Sequence, residues 1–285
     1  MIIIQMEGGL GNQMFQYALY LFFRHRNITA KADISRFENY TLHNGYELER
    51  IFGINAKYAG KKERAVVKVL GKCLHLLARQ PYKEKARMQW RFQPAVHKMK
   101  FGFLKGYWQT EQYFLEAATL VRERFTFPAI ADEQNKKLLQ RFEQGNAVSL
   151  HVRRGDYLSI AQPATLPLAY YNEAIRLITA TVPDARFFVF SDDIPWVKQN
   201  LHQSNMYYID WNKGSESFRD MQLMSACQHN IIANSSFSWW GAWLNNNEKK
   251  IVIAPQQWMP GLPAGTDVLP KSWVQVPVTY EAANN

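Results

Sequence analysis

Cysteine is scarce: Cys73 and Cys227 are the only two in 285 residues, far apart and without metal-binding or redox spacing. That argues against a disulfide framework and fits a reducing compartment. Long apolar runs are missing as well. The longest, Tyr17 to Phe23, falls far short of the roughly 20 residues a membrane-spanning helix needs. The start, Met1-Ile2-Ile3-Ile4-Gln5, has no basic n-region and no h-region, so no signal peptide is expected. Several signatures that name a chemistry outright are absent. There is no His-Glu-x-x-His, Cys-x-x-Cys or Gly-x-Ser-x-Gly, which leaves zinc and serine-hydrolase chemistry without support. No Gly-Lys-Ser/Thr follows the early glycines, so they are not a P-loop. There is no Asp-x-Asp, the pair through which many nucleotide-sugar enzymes hold a diphosphate by way of a divalent ion. No internal repeat or low-complexity tract is visible.

Acidic residues are short in one stretch only. Residues 57–105 hold fourteen Lys/Arg against Glu63 and Glu84, a net charge of +12, whereas the whole chain is +10. The rest is therefore close to neutral, and the excess is a local patch suited to nucleic acid, anionic lipid or an acidic substrate. A 47% hydrophobic content and a mean hydropathy of −0.34 otherwise describe an ordinary soluble globular chain with a sizeable core.

What is present alternates. Ile2–Met6 reads as a buried strand, Gly8-Gly9-Leu10-Gly11-Asn12-Gln13 as a turn into a helix, and Thr29–Ile34 as a second strand ending at Asp33. Ala65–Leu77 mixes apolar and basic positions at helical spacing, either a solvated basic face over a core stripe or a membrane-surface helix. Gly102–Trp108 is expected as a strand, Leu115–Phe125 as a helix, and residues 126–135 as a linker. Further on, strands are expected at Ala147–Leu150, Ala185–Phe190, Met206–Ile209, His229–Ala233 and Lys250–Ala254, with helices of about ten residues between them. That alternation implies a parallel α/β architecture.

Three strand ends carry chemistry. His151, Arg153, Arg154 and Asp156 are expected to emerge where one strand stops, Asp192 and Asp193 at another, and Asn234, Ser235 and Ser236 at a third. In open α/β sheets ligands sit at that edge. Paired guanidiniums match phosphate oxygens two at a time, and a Ser-rich helix start adds free amides. The plain alternatives are an arginine paired with Asp156 to pin the turn and a serine acting only as a helix cap. Trp108, Trp239, Trp240, Trp243 and Trp258 include candidate sugar platforms. The four-residue spacing of Trp239 and Trp243 puts them on one helix face, as core residues would be.

Gly8–Ala18, His151–Tyr157 and Ala233–Trp240, in that order, resemble the signature blocks of glycosyltransferase family 11, the family of the α-1,2-fucosyltransferases. The resemblance spans residues 8 to 244 and is similar in length to bacterial members that build O-antigen or blood-group-like glycans. It implies a GT-B fold of two Rossmann-like domains with parallel sheets facing across a cleft: an acceptor-side domain, residues 1–130, and a donor domain, residues 131–285. It implies inverting, metal-independent transfer of fucose from GDP-fucose to the 2-hydroxyl of a terminal β-galactoside, with no cofactor. By the family's pattern Arg153 would hold the β-phosphate with support from Arg154, Ser235 and Ser236 would contact the diphosphate, and His151 and Asp220 would touch guanine. Asp192 and Asn234 complete the expected donor pocket. Gly9, Gly11, Asn12 and Gln13 would face the reacting sugar.

Such a transfer puts negative charge on GDP and oxocarbenium character on the sugar. The arginines and the serine-capped helix would stabilise the first, and a carboxylate would serve the second or take the acceptor's proton. Asp156, Glu7 and Asp33 are the candidates, and Asp156 could equally orient Arg153. Two other readings are a NAD(P)-dependent oxidoreductase, from the glycine turn and Asp33, and a basic nucleic-acid-binding protein, from residues 57–105. The fucosyltransferase reading makes the basic stretch an anionic-membrane face near a lipid-linked acceptor, on a cytoplasmic protein at the inner face of the membrane.

Overall fold

The computed structural model describes residues 1–39, 43–78, 90–158, 164–262 and 266–280. The chain divides into two units, Met1–Pro128 and Ala129–Asn285. In the first, β1 (Ile2–Gln5) is buried along its whole length, as a central parallel strand with both faces covered must be. The Gly8-Gly9 turn leads into α1 (Leu10–His25), whose last turn holds the cation Arg24, which suits a helix C-terminus. Then come β2 (Ala30–Asp33), α2 (Leu48–Phe52), α3 (Lys61–Ala78), α4 (Pro94–His97), β3 (Gly102–Leu104) and α5 (Ala118–Arg124). The sheet order is β2-β1-β3, and both pairings are parallel.

Two expectations change here. The strand expected over Gly102–Trp108 is regular only through Leu104, and Trp108 sits at φ +57°, where no strand continues. The helix expected over Leu115–Phe125 begins as a 3-10 turn, Leu115–Ala117, before α5.

The second unit opens with α6 (Glu133–Glu143), capped by Asp132, whose Oδ1 accepts from the Asn135 N–H at 2.8 Å. It continues through β4 (Ala147–Val152), α7 (Leu168–Thr181), β5 (Arg186–Ser191), α8 (Ile194–Asn200), β6 (Met206–Ile209) and α9 (Phe218–Ala226). Last come β7 (His229–Ile231), α10 (Ser236–Leu244), β8 (Val252–Pro255) and β9 (Val274–Val276). The order is β6-β5-β4-β7-β8-β9, with every pairing parallel. β4 is buried on both faces. Val148, Leu150 and Val152 pack with Tyr170 and Ile175 of α7, while Ala147 packs with Phe188, Leu223 and Met224. β9 is absent from the sequence reading because three residues, two of them exposed, leave no pattern to read. Two parallel α/β units are what the expected fold class requires.

The topology locates a site before any side chain is considered. From β4 the chain builds outward to β5 and β6 on one side, then returns to place β7, β8 and β9 on the other. The strand order therefore reverses between β4 and β7, and the crevice outside the carboxyl ends of such a pair is where ligands bind in open α/β sheets. Among the described residues no helix is long and apolar enough to cross a membrane.

The approach of α10 to α9 is close. A Cβ on Gly241 would lie 2.9 Å from Met224 Cβ and 3.5 Å from the Met221 carbonyl oxygen. Gly241→Ala gains about 1 kcal/mol of helix propensity, but overpacking costs about 1–3 kcal/mol. The blocking atom is a Cβ, which cannot swing aside, so overpacking wins. A thermal melt should show a midpoint lowered by roughly 2–4 °C.

Candidate active site

β4 and β5 lie in register with Val152 opposite Ser191, so the residues after each strand leave the sheet side by side. Arg153 Nη1 meets Asp192 Oδ2 at 2.9 Å, and Arg154 Nε meets Asp193 Oδ2 at 3.1 Å. The Arg154 backbone N–H donates to Asp192 Oδ1 at 2.9 Å. Asp193 Oδ1 accepts from Trp196 N–H at 3.1 Å and so caps α8. The Arg154 guanidinium carbon lies 3.8 Å from the centroid of the Trp196 ring, and that of Arg153 lies 5.7 Å from Tyr157. Gly155 permits this crowding, because a Cβ there would sit 2.7 Å from Asp192 Oδ2. Carboxylates from the neighbouring strand, Asp192 and Asp193, thus orient the arginines; the side chain of Asp156, expected to pin the turn or take part in the chemistry, lies outside the described residues. The two arginines and two aspartates sum to zero formal charge, so this wall is a set of oriented donors and not a bare cationic surface.

His151 is corrected from its expected place beyond the strand. It lies within β4, opposite Phe190, and is buried with its ring 6.0 Å from that of Phe237. Its Nδ1 has no hydrogen-bond partner among the described residues. Burial pulls its pKa well below the ordinary value, Asp192 opposes that shift and Arg153 reinforces it. The ring is neutral as a result.

Across the switch point, Ser235 caps α10, its Oγ accepting from Phe237 N–H at 3.3 Å. Ser236 opens the helix, partly exposed. Asn234 is buried, and its Nδ2 donates to the Ala164 carbonyl at 2.9 Å and to Tyr280 Oη at 3.2 Å. Tyr157 Oη donates to the Asn234 carbonyl at 3.0 Å. One phenol thus lies beside Arg153 and bonds to the chain leading into the Ser235 cap. Tyr157, part of the motif but given no role from sequence, is the tie between the two strand ends. The tryptophans resolve as core: Trp108, Trp239, Trp240, Trp243 and Trp258 are all buried. Trp239 stacks on Trp243 and donates to the Val268 carbonyl at 2.8 Å.

Asp220 stands in a second network. Located in the first turn of α9, it accepts from Asn212 Nδ2 at 2.8 Å. Asn212 in turn accepts from Asn135 Nδ2 at 2.8 Å, and Asn135 accepts from Trp211 Nε1 at 2.8 Å. Burial pushes Asp220 up to about 7, against the pull of the Asn212 hydrogen bond. Among the described residues no group of three or more His, Cys, Asp or Glu side chains is placed to hold a metal ion.

In the first unit, Gly8 takes φ +84°, and a Cβ there would lie 2.7 Å from Asn12 Nδ2. Gly9 caps α1 with extended backbone, and the His43 ring would lie 3.4 Å from a Cβ on it. Asn12, partly exposed, accepts from Gln109 Nε2 at 2.6 Å. Gly11 and Gln13 are buried. Gln13 donates to the carbonyls of Gly8 at 2.9 Å and Gly45 at 2.8 Å and accepts from Glu47 N–H at 2.9 Å, so it staples the turn to residues 45–47. Of the sequence-selected carboxylates, Asp33 is fully buried, 3.3 Å from Arg64 and 3.8 Å from Lys68, and so anchors α3 instead of facing a substrate. Glu7 is partly exposed, 3.8 Å from Arg36. His43 and Gln109 were not selected from sequence. Gln109 lies 97 positions from the asparagine it holds, beyond any local pattern.

A family model for glycosyl transferase family 11 matches residues 1–275. The chain belongs to that family. A relative, the α-1,2-colitosyltransferase of Escherichia coli, is 35% identical over 96% of this chain and 98% of its own length. The O-antigen biosynthesis glycosyltransferase WbnK of Escherichia coli is 30% identical over 90% of this chain and 94% of its own. The galactoside α-(1,2)-fucosyltransferase 1 of Ateles belzebuth is 27% identical over 50% of this chain and 42% of its own. Among solved structures, Arabidopsis thaliana FUT1 in complex with GDP aligns over 90% of this chain and 72% of that one, with 10% identity and a TM-score of 0.47.

Family membership makes this protein a glycosyltransferase, acting between a nucleotide-sugar donor and a glycan acceptor, and sets aside the oxidoreductase and nucleic-acid readings. In this glycosyltransferase the raised pKa of Asp220 has a measurable consequence. The folded protein favours its protonated form, so that stability is full below the unfolded value near 3.8 and is lost as pH rises through about 7. Asp220→Asn is uncharged throughout. Its melting temperature should gain on the parent between about pH 4 and about pH 7 and hold a level advantage above; a gap independent of pH would refute the assignment.

Proposed function

We propose that this family 11 enzyme transfers L-fucose from GDP-fucose to the 2-hydroxyl of a terminal β-galactoside in a bacterial O-antigen, inverting the fucose carbon and using no metal. The observation that carries the reading is the pair of oriented arginines, Arg153 on Asp192 and Arg154 on Asp193, across the switch point from the Ser235–Ser236 helix start. As the glycosidic C–O bond to phosphate breaks, the electron pair stays on the GDP oxygens. Guanidinium N–H donors from one strand end and helix-start amides and the Ser236 hydroxyl from the other are suited to receive that charge, because they are held in place before it develops. Inversion needs the acceptor hydroxyl to attack from the opposite face while a carboxylate takes its proton. Asp156 and Glu7 are the candidates for that carboxylate. His151, neutral and buried behind Arg153, and Asp220 on α9 are assigned to the guanine side, with Asn234 supporting the cap from behind. Gly9, Gly11 and Asn12 let backbone approach the reacting sugar, and Gln13 holds their turn in shape.

A second reading changes only the donor sugar. The colitosyltransferase similarity across nearly the full length favours GDP-colitose; colitose is L-fucose without its 3-hydroxyl. A screen of GDP-fucose and GDP-colitose against a panel of β-galactosides, with the linkage read by NMR, separates the two. The fucosyl reading expects the higher kcat/KM for GDP-fucose, and a preference for GDP-colitose overturns it.

Removing one such charge stabiliser typically costs on the order of 100-fold or more in rate. Arg153→Ala should therefore lose transfer by at least that factor while its circular dichroism stays that of the parent. Near-parental transfer by a folded Arg153→Ala enzyme would sink the site. Transfer should also persist after EDTA treatment, and an absolute requirement for added Mg²⁺ or Mn²⁺ would refute the metal-free mechanism.

A further inference from the structure

Helix α3 has two apolar stripes. The inner one, Val67 with Gly71 beside it, is buried, and Val67 packs on Ile3 and Phe103. Two basic residues reinforce that attachment. Arg64 and Lys68 reach the buried Asp33, and Lys68 also lies over the Phe103 ring, its Nζ 4.5 Å from the centroid. Among the described residues the outer stripe has no such partner. Val66, Val69, Leu70, Leu76 and Leu77 are the most exposed apolar side chains of the helix, between 48% and 85% accessible, and Cys73 lies exposed among them. Their spacing of three, four and seven residues puts all six on one face, turned away from Val67 and Gly71. Lys62 continues the line one turn earlier, and Lys61 and Lys72 flank it, all three exposed. The only acid of the helix, Glu63, pairs with Lys31.

We propose that this outer face of α3 docks the protein on the surface of an anionic phospholipid bilayer. Apolar side chains on one face with lysines at its edge are the pattern of an interfacial helix, which buries the first among acyl chains and leaves the second at headgroup phosphates. Charge decides against a second copy as occupant. Two copies meeting through this face would bring together stretches that each carry +12, and like charges facing each other oppose association. Area points the same way. The stripe from Val66 to Leu77 is about 16 Å long at the helical rise, too little for the roughly 800 Å² per partner of a stable protein interface. A bilayer needs no complementary protein surface and draws on the whole basic stretch.

The test uses the full chain and vesicles of phosphatidylcholine alone or in equal mixture with phosphatidylglycerol. Cys227 is buried, so an environment-sensitive dye reports from Cys73 alone, within the stripe. The expected result is sedimentation with the phosphatidylglycerol vesicles only, a blue shift of the dye, and release as salt is raised. The triple variant Val69→Glu, Leu76→Glu, Leu77→Glu should weaken vesicle binding roughly ten-fold or more with an unchanged melting temperature, since these side chains make no part of the core. The variant Lys61→Glu, Lys62→Glu, Lys72→Glu should do the same. Three results would overturn the proposal: no binding by the parent, equal binding by the first variant, or a parent dimer in sedimentation velocity that the first variant converts to monomer. None of these readouts depends on the identity of the donor sugar.

Discussion

The parallel register that sets Val152 beside Ser191 is the constraint on which the candidate site depends. It places Arg153 and Arg154 next to Asp192 and Asp193, and two half-buried ion pairs follow. Such pairs add little to stability when exposed, and breaking a partly buried one leaves a charge without compensation. Their value here is orientation. A guanidinium held by a carboxylate on one side presents its remaining edge in a fixed direction, which is what a diphosphate leaving group requires. The carboxylates also cancel the charge, so the arginines offer directed hydrogen-bond donors more than a net field.

The same economy of position recurs in the first unit. There glutamine side chains hold the glycine turn after β1. Gln13 reaches Gly45 and Glu47, Gln16 reaches Gly106 and Glu7, and Gln109 reaches Asn12. A glutamine can donate and accept at once, so such side chains tie segments together without adding a charge of their own. Gly8 leaves room for the Asn12 side chain that a Cβ would displace, and Gly9 lies against the His43 ring.

Much of this was legible along the chain because local rules govern it. The three-isoleucine strand, the glycine turn into α1, the Ser235 cap, the alternation of strands with short helices and the family motif blocks all rest on residues close in sequence. Errors came where that locality ends. The apolar run stops at Leu150 and so points to a strand end before His151, whereas pairing with Phe190 carries β4 on to Val152. The aromatic residues after Gly102 suit a longer strand, yet Trp108 turns the chain. The tryptophans looked equally fit for a core or a sugar platform, since nothing in a side chain's identity says which face will be covered.

The sequence by itself determined the α/β class, the glycine-rich and serine-capped turns, the basic stretch and the family, all through short-range propensity and motif. Tertiary structure alone decided that the Arg154 backbone N–H meets an aspartate 38 positions away. It also decided that Asp33 is an anchor, that Gln13 turns inward, and that one stripe of α3 is left bare. The reason is that strand order and register bring together residues that no local rule relates.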